Sequence, residues 1–81
     1  MTKDDMRADL ARVLRLDPAE IGDDDDLGDL GLDSLRSMSL LLAWEKAGLA
    51  LDFAELAERL TLSHWAAVAA REPGAGASAA R

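Results

Sequence analysis

The pentapeptide Gly31-Leu32-Asp33-Ser34-Leu35 marks the point at which an acidic, glycine-containing segment changes to an apolar helical pattern. A side chain at a helix start lies beside unpaired backbone N–H groups and at the positive end of the helix dipole. An anion is stabilised there, so a phosphate ester on the Ser34 hydroxyl would be favoured. Taken by itself, the pentapeptide is interpreted more simply as a helix cap, which Asp33 or Ser34 could provide.

The second predicted helix begins at Asp33 or Ser34 and continues to about Ala47, where Gly48 supplies a stop. Its apolar residues cover more than one stripe of the helix: Leu35, Met38, Leu40, Leu41, Leu42, Ala43, Trp44 and Ala47. A helix that is apolar nearly all round lies at the centre of a bundle or offers a second face to a partner.

Upstream of this helix, one apolar face recurs at i, i+4, i+7 and i+8: Met6, Leu10, Val13 and Leu14. This spacing predicts a first helix from about Thr2 to Leu16, with Thr2 and Asp5 at capping-box spacing. Pro18 is expected to end it, because the residue before a proline avoids helical angles. The long connection 17–33 holds spaced aliphatic residues that favour a loop packed onto the helices: Ile21, Leu27, Leu30 and Leu32.

The sequence after Gly48 predicts two more helices. Asp52-Phe53-Ala54-Glu55 has the pattern of a capping box that opens a short third helix. Thr61 or Ser63 would cap a last helix, whose apolar residues are Trp65, Val68 and Ala69. The predicted fold is therefore all-α, a four-helix bundle of three main helices and one short helix. Residues 1–72 are expected to form one domain and residues 73–81 a disordered tail or linker stub.

The net charge of −7 arises entirely before Ser34. Residues 1–33 carry eleven acidic and four basic residues, whereas residues 34–81 carry five of each. Such a surface disfavours nucleic acid and suits a solvated loop or a basic partner protein. There is no cysteine, and no apolar run approaches the ~20 residues that span a bilayer. We expect a cytoplasmic monomer that binds neither nucleic acid nor membrane.

Two kinds of chemical site fit the chain poorly. Asp23, Asp25 and Gly28 match three positions of a calcium loop, but Ser34 stands where the bidentate acid is required. Catalysis by Ser34 would need a base, and the single histidine of the chain, His64, is placed in the last helix without a nucleophile-elbow motif at the serine. We therefore expect no metal site and no enzyme activity. Ser34 is interpreted as a hydroxyl that another enzyme modifies.

The run Leu30-Gly31-Leu32-Asp33-Ser34-Leu35, at the entrance to the second of four predicted helices, resembles the attachment motif of acyl, peptidyl and aryl carrier proteins. The resemblance extends over nearly the whole folded part, including residues 16–21 and 56–62. Asp33-Ser34-Leu35-Arg36 and Ala43-Trp44-Glu45-Lys46 are most similar to the aryl carriers of nonribosomal peptide synthesis. The second helix departs from the acid-rich pattern of fatty-acid carriers, so docking would depend more on apolar area than on charge.

The resemblance implies that a phosphopantetheinyl transferase uses coenzyme A and magnesium to attach 4′-phosphopantetheine to Ser34, assisted by Asp33 and with Arg36 in contact with the new phosphate. An adenylating enzyme would then load an aryl or amino acid as a thioester, and a condensing or tailoring enzyme would remove it, as in antibiotic or siderophore biosynthesis. The docking positions of the family fall on Leu35, Met38, Phe53 and Ala57. Two alternatives are a polyketide-type acyl carrier and a small helical adaptor that uses the same face without modification.

Overall fold

The computed structural model describes residues 1–71, and this part of the chain forms four α-helices and no strand. The helices are α1 (Lys3–Leu14), α2 (Ser34–Lys46), α3 (Phe53–Ala57) and α4 (Leu62–Arg71). The predicted all-α bundle of three main helices and one short helix is confirmed. None of these helices combines the length and apolar character that a membrane crossing requires. The predicted tail, residues 73–81, lies outside the described residues.

The first helix begins as predicted and ends earlier. The Thr2 hydroxyl accepts the Asp5 N–H at 3.1 Å, and the Asp5 carboxylate accepts the Thr2 N–H at 3.0 Å, which completes the capping box. Arg15 adopts the left-handed conformation, with φ 58°, and the Leu16 N–H bonds back to the Ala11 carbonyl at 2.9 Å. The expected end at Leu16 was wrong, because this left-handed closure ends the helix before the proline acts.

The core is continuous through the helices and the connection between α1 and α2. Two tryptophans lie at its centre, with the rings of Trp44 and Trp65 edge to face and their centroids 6.1 Å apart. Each indole N–H has a partner: Trp44 Nε1 donates to Asp9 Oδ2 at 2.8 Å, and Trp65 Nε1 donates to the Leu56 carbonyl at 3.0 Å. Both rings are therefore buried without an unpaired donor.

The connection between α1 and α2 is packed down, as its aliphatic residues predicted. It contains a 3₁₀ turn at Pro18–Glu20, and its apolar side chains are buried or partly buried: Ile21, Leu27, Leu30 and Leu32. The Leu27 N–H donates to the Leu60 carbonyl at 2.8 Å. Asp23 binds Lys3 and Arg7 of α1 through its carboxylate, and its carbonyl accepts the Ser63 N–H at the start of α4 at 2.9 Å. This acidic segment is thus held to two helices.

The capping residues of α3 and α4 differ in part from the sequence predictions. Asp52 caps α3 by accepting the Ala54 N–H at 2.9 Å, but the reciprocal bond, in which the Glu55 carboxylate would accept the Asp52 N–H, is absent among the described residues. The Glu55 carboxylate instead binds Arg71 of α4 at 2.7 Å, so the expected capping box was wrong. Thr61 caps α4, since its hydroxyl accepts the His64 N–H at 3.1 Å.

Candidate functional site

The start of α2 separates the capping residue from the exposed hydroxyl. Gly31 has φ 110°, a conformation that favours glycine, and the chain that follows buries Leu32 while leaving Asp33 and Ser34 exposed. Asp33 is the N-cap, because its Oδ1 accepts the Arg36 N–H at 2.8 Å. Ser34 is the first residue of the helix, so its exposed side chain has no capping role.

Arg36 lies two residues after Ser34 in α2 and pairs with the cap. Its Nη1 donates to Asp33 Oδ2 at 3.0 Å, and both side chains are about half exposed. An exposed ion pair of this kind stabilises by less than about 1 kcal/mol, so the guanidinium can exchange partners at small cost. The structure thus places Arg36 on Asp33, and its contact with a phosphate stays a prediction.

The local donors suit a phosphate group. The backbone N–H groups of Ser34 and Leu35 make no hydrogen bond to any residue in the range 1–71. They are the first two amides of α2, where the positive end of the helix dipole lies. A phosphate ester on the Ser34 hydroxyl would therefore be stabilised by these unpaired amides, whereas the Arg36 guanidinium is paired with Asp33. The residues present fit the group that the motif implies.

Two adjoining grooves separate α2 from α3. The groove beside Ser34 has a volume of about 220 Å³ and is lined by Leu32, Asp33, Ser34, Ser37, Phe53, Ala57 and Leu60. The second groove, of about 170 Å³, extends toward the end of α2 and is lined by Met38, Leu41, Leu42, Glu45, Ala50, Leu51 and Phe53. Phe53 lines both grooves and therefore stands at their junction.

Large apolar side chains are exposed on α2 and α3, and all of them except Leu35 line the grooves. On α2, Leu35 is 80% exposed and Met38 is 45% exposed, and on α3 Phe53 is 38% exposed. Ala57 is exposed as well. Leu42, 56% exposed, was missed as a site residue, although its spacing of i+7 from Leu35 is a helical-face signal. We call Leu35, Met38, Leu42 and Phe53 the apolar face. Clustered exposed apolar residues of this kind mark interaction sites.

The other titratable residues considered from the sequence have partners elsewhere. His64 Nε2 lies 2.8 Å from the Glu55 carbonyl, so the ring is engaged with α3 rather than with Ser34. Asp25 Oδ2 accepts the Gly22 N–H at 2.9 Å. The hydrogen bond from Lys3, together with the charges of Lys3 and Arg7, holds the pKa of the Asp23 carboxyl below its ordinary value. Asp25 thus stabilises the connection through a local bond, and Asp23 stabilises it through ion pairs with α1.

Comparison with known proteins points to one family. The family described as "Phosphopantetheine attachment site" matches residues 4–69. The chain is 39% identical over 77 residues to the acyl carrier protein ScoB of Streptomyces coeruleorubidus, a match that covers 94% of this chain and 91% of ScoB. No solved structure shows a significant match.

Other relatives are much longer proteins. The isochorismatase of Bacillus subtilis (strain 168) is 42% identical over 64 residues, which cover 79% of this chain and 20% of that protein. Phenyloxazoline synthase MbtB of Mycolicibacterium paratuberculosis is 40% identical over 63 residues, which cover 78% of this chain and 5% of that protein. The chain therefore corresponds to about a fifth of the first protein and a twentieth of the second, but to nearly all of ScoB.

Proposed function

Since this chain belongs to the phosphopantetheine attachment site family, as a carrier of the acyl and aryl type, we propose that Ser34 is its attachment residue. The main support for this proposal is that the Ser34 side chain is exposed at the first position of α2, while Asp33 supplies the cap. The cofactor of the family is 4′-phosphopantetheine. When bound, it supplies a thiol that carries an acyl group as a thioester.

The residues around Ser34 have separate tasks in this proposal. The Asp33 carboxylate fixes the first turn of α2 and assists the magnesium-dependent transfer from coenzyme A. Arg36 exchanges Asp33 for the phosphate after attachment, because a guanidinium binds phosphate oxygens with charge-assisted hydrogen bonds. The unpaired amides of Ser34 and Leu35 favour the same negative charge. Arg36 and the two amides would hold the phosphate at the base of the arm without forming a pocket for its cargo.

The cargo is proposed to be an aryl or amino acid, loaded by an adenylating enzyme and removed by a condensing or tailoring enzyme. The similarity to a phenyloxazoline synthase, whose name specifies a phenyl group, supports this assignment. The match to ScoB favours a second candidate, an acyl carrier loaded by a different class of enzyme, because it covers nearly the whole of both chains. Both candidates use Ser34 in the same way.

Partner enzymes are proposed to dock on Leu35, Met38, Phe53 and Ala57, with Leu42 extending the contact. The apolar face lies next to Ser34, so a partner that binds it is brought to the attachment point. α2 carries three charged side chains, Arg36, Glu45 and Lys46, and is otherwise serine and apolar residues. Docking should therefore depend mainly on buried apolar area and respond weakly to salt.

Intact-mass measurement tests the attachment residue. The protein is incubated with coenzyme A, magnesium and a broad-specificity phosphopantetheinyl transferase. We expect the wild-type chain to gain one phosphopantetheine group and Ser34→Ala to gain none. Ser39→Ala, an exposed serine on the same helix, is the matched control and should be modified like the wild type. An unmodified wild type would favour the unmodified adaptor, and a modified Ser34→Ala would move the site elsewhere.

Loading of the modified protein separates the two carrier candidates. It is incubated with ATP and adenylating enzymes for aryl acids and for amino acids, or with acyltransferases and acyl-coenzyme A, and the thioester is detected by mass. We expect loading by an adenylating enzyme. Loading by the acyltransferases alone would establish the acyl carrier instead.

A further inference from the structure

The position of α3 is set from the side of α4. A helix of five residues, Phe53–Ala57, is too short to be stable by itself. It packs against α4, whereas the two grooves separate it from α2. Because α3 forms one wall of the groove beside Ser34, whatever holds α3 also determines the shape of that groove.

Three side chains of α4 bind the end of α3. Trp65 Nε1 donates to the Leu56 carbonyl at 3.0 Å within the core. His64 Nε2 lies 2.8 Å from the Glu55 carbonyl, and because a carbonyl only accepts, the ring nitrogen donates. Arg71 adds a contact to the Glu55 carboxylate at 2.7 Å. The Glu55 carbonyl also accepts the N–H of Glu58, the C-cap of α3, at 3.2 Å, so the bond from His64 is a second one and ties this carbonyl to α4.

The two faces of α3 have different neighbours. Glu55 and Leu56 are turned toward α4, through the contacts just described. Phe53 and Ala57, four residues apart on one face, line the groove beside Ser34. A change on the α4 side therefore reaches the groove as a movement of the whole short helix, without any direct contact to Ser34.

We propose that His64 is a positioning residue for the modification of Ser34, assisted by Arg71. If Ser34 is modified as proposed above, α4 controls the shape of the groove that the transferase recognises. When α3 occupies its place for a smaller fraction of time, apparent affinity for the partner falls by that fraction. The transfer itself is unaffected once the partner is bound, so KM changes and kcat does not.

Steady-state kinetics of the transferase with variants of the full chain tests the proposal. For His64→Ala we expect KM to rise by up to roughly fivefold, the factor by which one lost hydrogen bond shifts the equilibrium of α3, with kcat unchanged. His64→Gln should restore KM to within about twofold of the wild type, because its side-chain amide can donate to the same carbonyl. Arg71→Ala should raise KM about twofold, since an exposed pair contributes little. Arg12→Ala removes a comparable arginine pair on α1 and should leave KM unchanged.

Hydrogen exchange gives a second readout that does not depend on the transferase. Amides of residues 55–58 should exchange faster in His64→Ala, while those of α1 and α2 keep wild-type protection. The inference is overturned if KM is unchanged in His64→Ala, if kcat falls instead, if His64→Gln is equally impaired, or if residues 55–58 keep their protection. Lack of modification of the wild type would contradict the proposed function instead, and exchange would still test how α3 is held.

Discussion

Two neighbouring regions, the connection between α1 and α2 and the helix α2 itself, are buried or exposed in the opposite way from what their compositions suggest. The connection holds eight acids between Asp17 and Asp33, yet it buries Ile21 and Leu27 and is bound to α1 and α4. The α2 helix is rich in apolar residues, yet it exposes Leu35 and Leu42. Charge in the sequence therefore does not indicate a loose segment here, and apolarity does not indicate burial.

The difference arises from what each side chain can bind locally. Short acids accept backbone N–H groups within a few residues: Asp17 from Ala19, Asp25 from Gly22, and Asp26 from Gly28. These bonds order the connection and let its spaced aliphatic residues reach the core. On α2, one stripe is enough to fill the core, so the apolar residues of the opposite stripe stay at the surface.

The largest effect expected from this comparison is on stability. Leu27→Ala in the acidic connection should lower the free energy of unfolding by about 2–5 kcal/mol, because the side chain is completely buried. Leu42→Ala in the apolar helix should change it by less than about 0.5 kcal/mol, because the side chain is mostly exposed. Urea unfolding followed by tryptophan fluorescence measures both. Equal costs for the two leucines would contradict the contrast between the regions.

A smaller effect is expected where α1 meets the buried face of α2. Asp9→Ala should lower the free energy of unfolding by about 1–3 kcal/mol, because it leaves the buried Trp44 N–H without its acceptor. Arg12→Ala removes only the exposed pair with Asp9 and should cost less than about 1 kcal/mol. The same urea measurement compares the two. If Arg12→Ala lowered the free energy of unfolding as much as Asp9→Ala, the ion pair with Arg12, rather than the bond to the indole N–H, would be the stabilising contact of Asp9.

The smallest effect concerns the pH dependence of the acidic connection. The pKa of Asp23 is lowered by its hydrogen bond from Lys3 and by the charges of Lys3 and Arg7. The unfolded chain therefore binds more protons at acidic pH. The stabilisation is present above the ordinary carboxyl range, roughly pH 4, and is lost as the pH falls through the lowered value.

Unfolding measured between pH 7 and pH 2 checks this sign. Asp23→Asn should lose stability at pH 7 and show a shallower decline in acid than the wild type. The neighbouring exposed acid supplies the matched control, Asp24→Asn, which should decline like the wild type. A wild-type slope in Asp23→Asn would mean that other carboxyls produce the acid sensitivity, Asp5 among them, whose pKa is lowered chiefly by the hydrogen bond from the Thr2 backbone.

Much of the fold could be predicted because its signals are local. The caps at Thr2 and Asp33, the stop at Gly48 and the 3.6-residue periodicity act within a few residues. The errors occurred where a distant residue competed. Glu55 has the sequence spacing of a capping box, but Arg71, sixteen residues away, binds its carboxylate in the folded chain. The early end of α1 is a local exception, since a left-handed Arg15 has no residue-type signal.

The sequence by itself determined four helices, the acidic segment before α2 and a serine at a helix start, since each follows from spacing along the chain. Tertiary structure alone decided which apolar residues of α2 stay exposed, that Asp9 accepts the Trp44 N–H, and that α3 is held by His64. The physical reason is that burial and pairing depend on neighbours brought together by folding. A helical pattern specifies which residues share a face, but the packing of the other helices decides which face meets water.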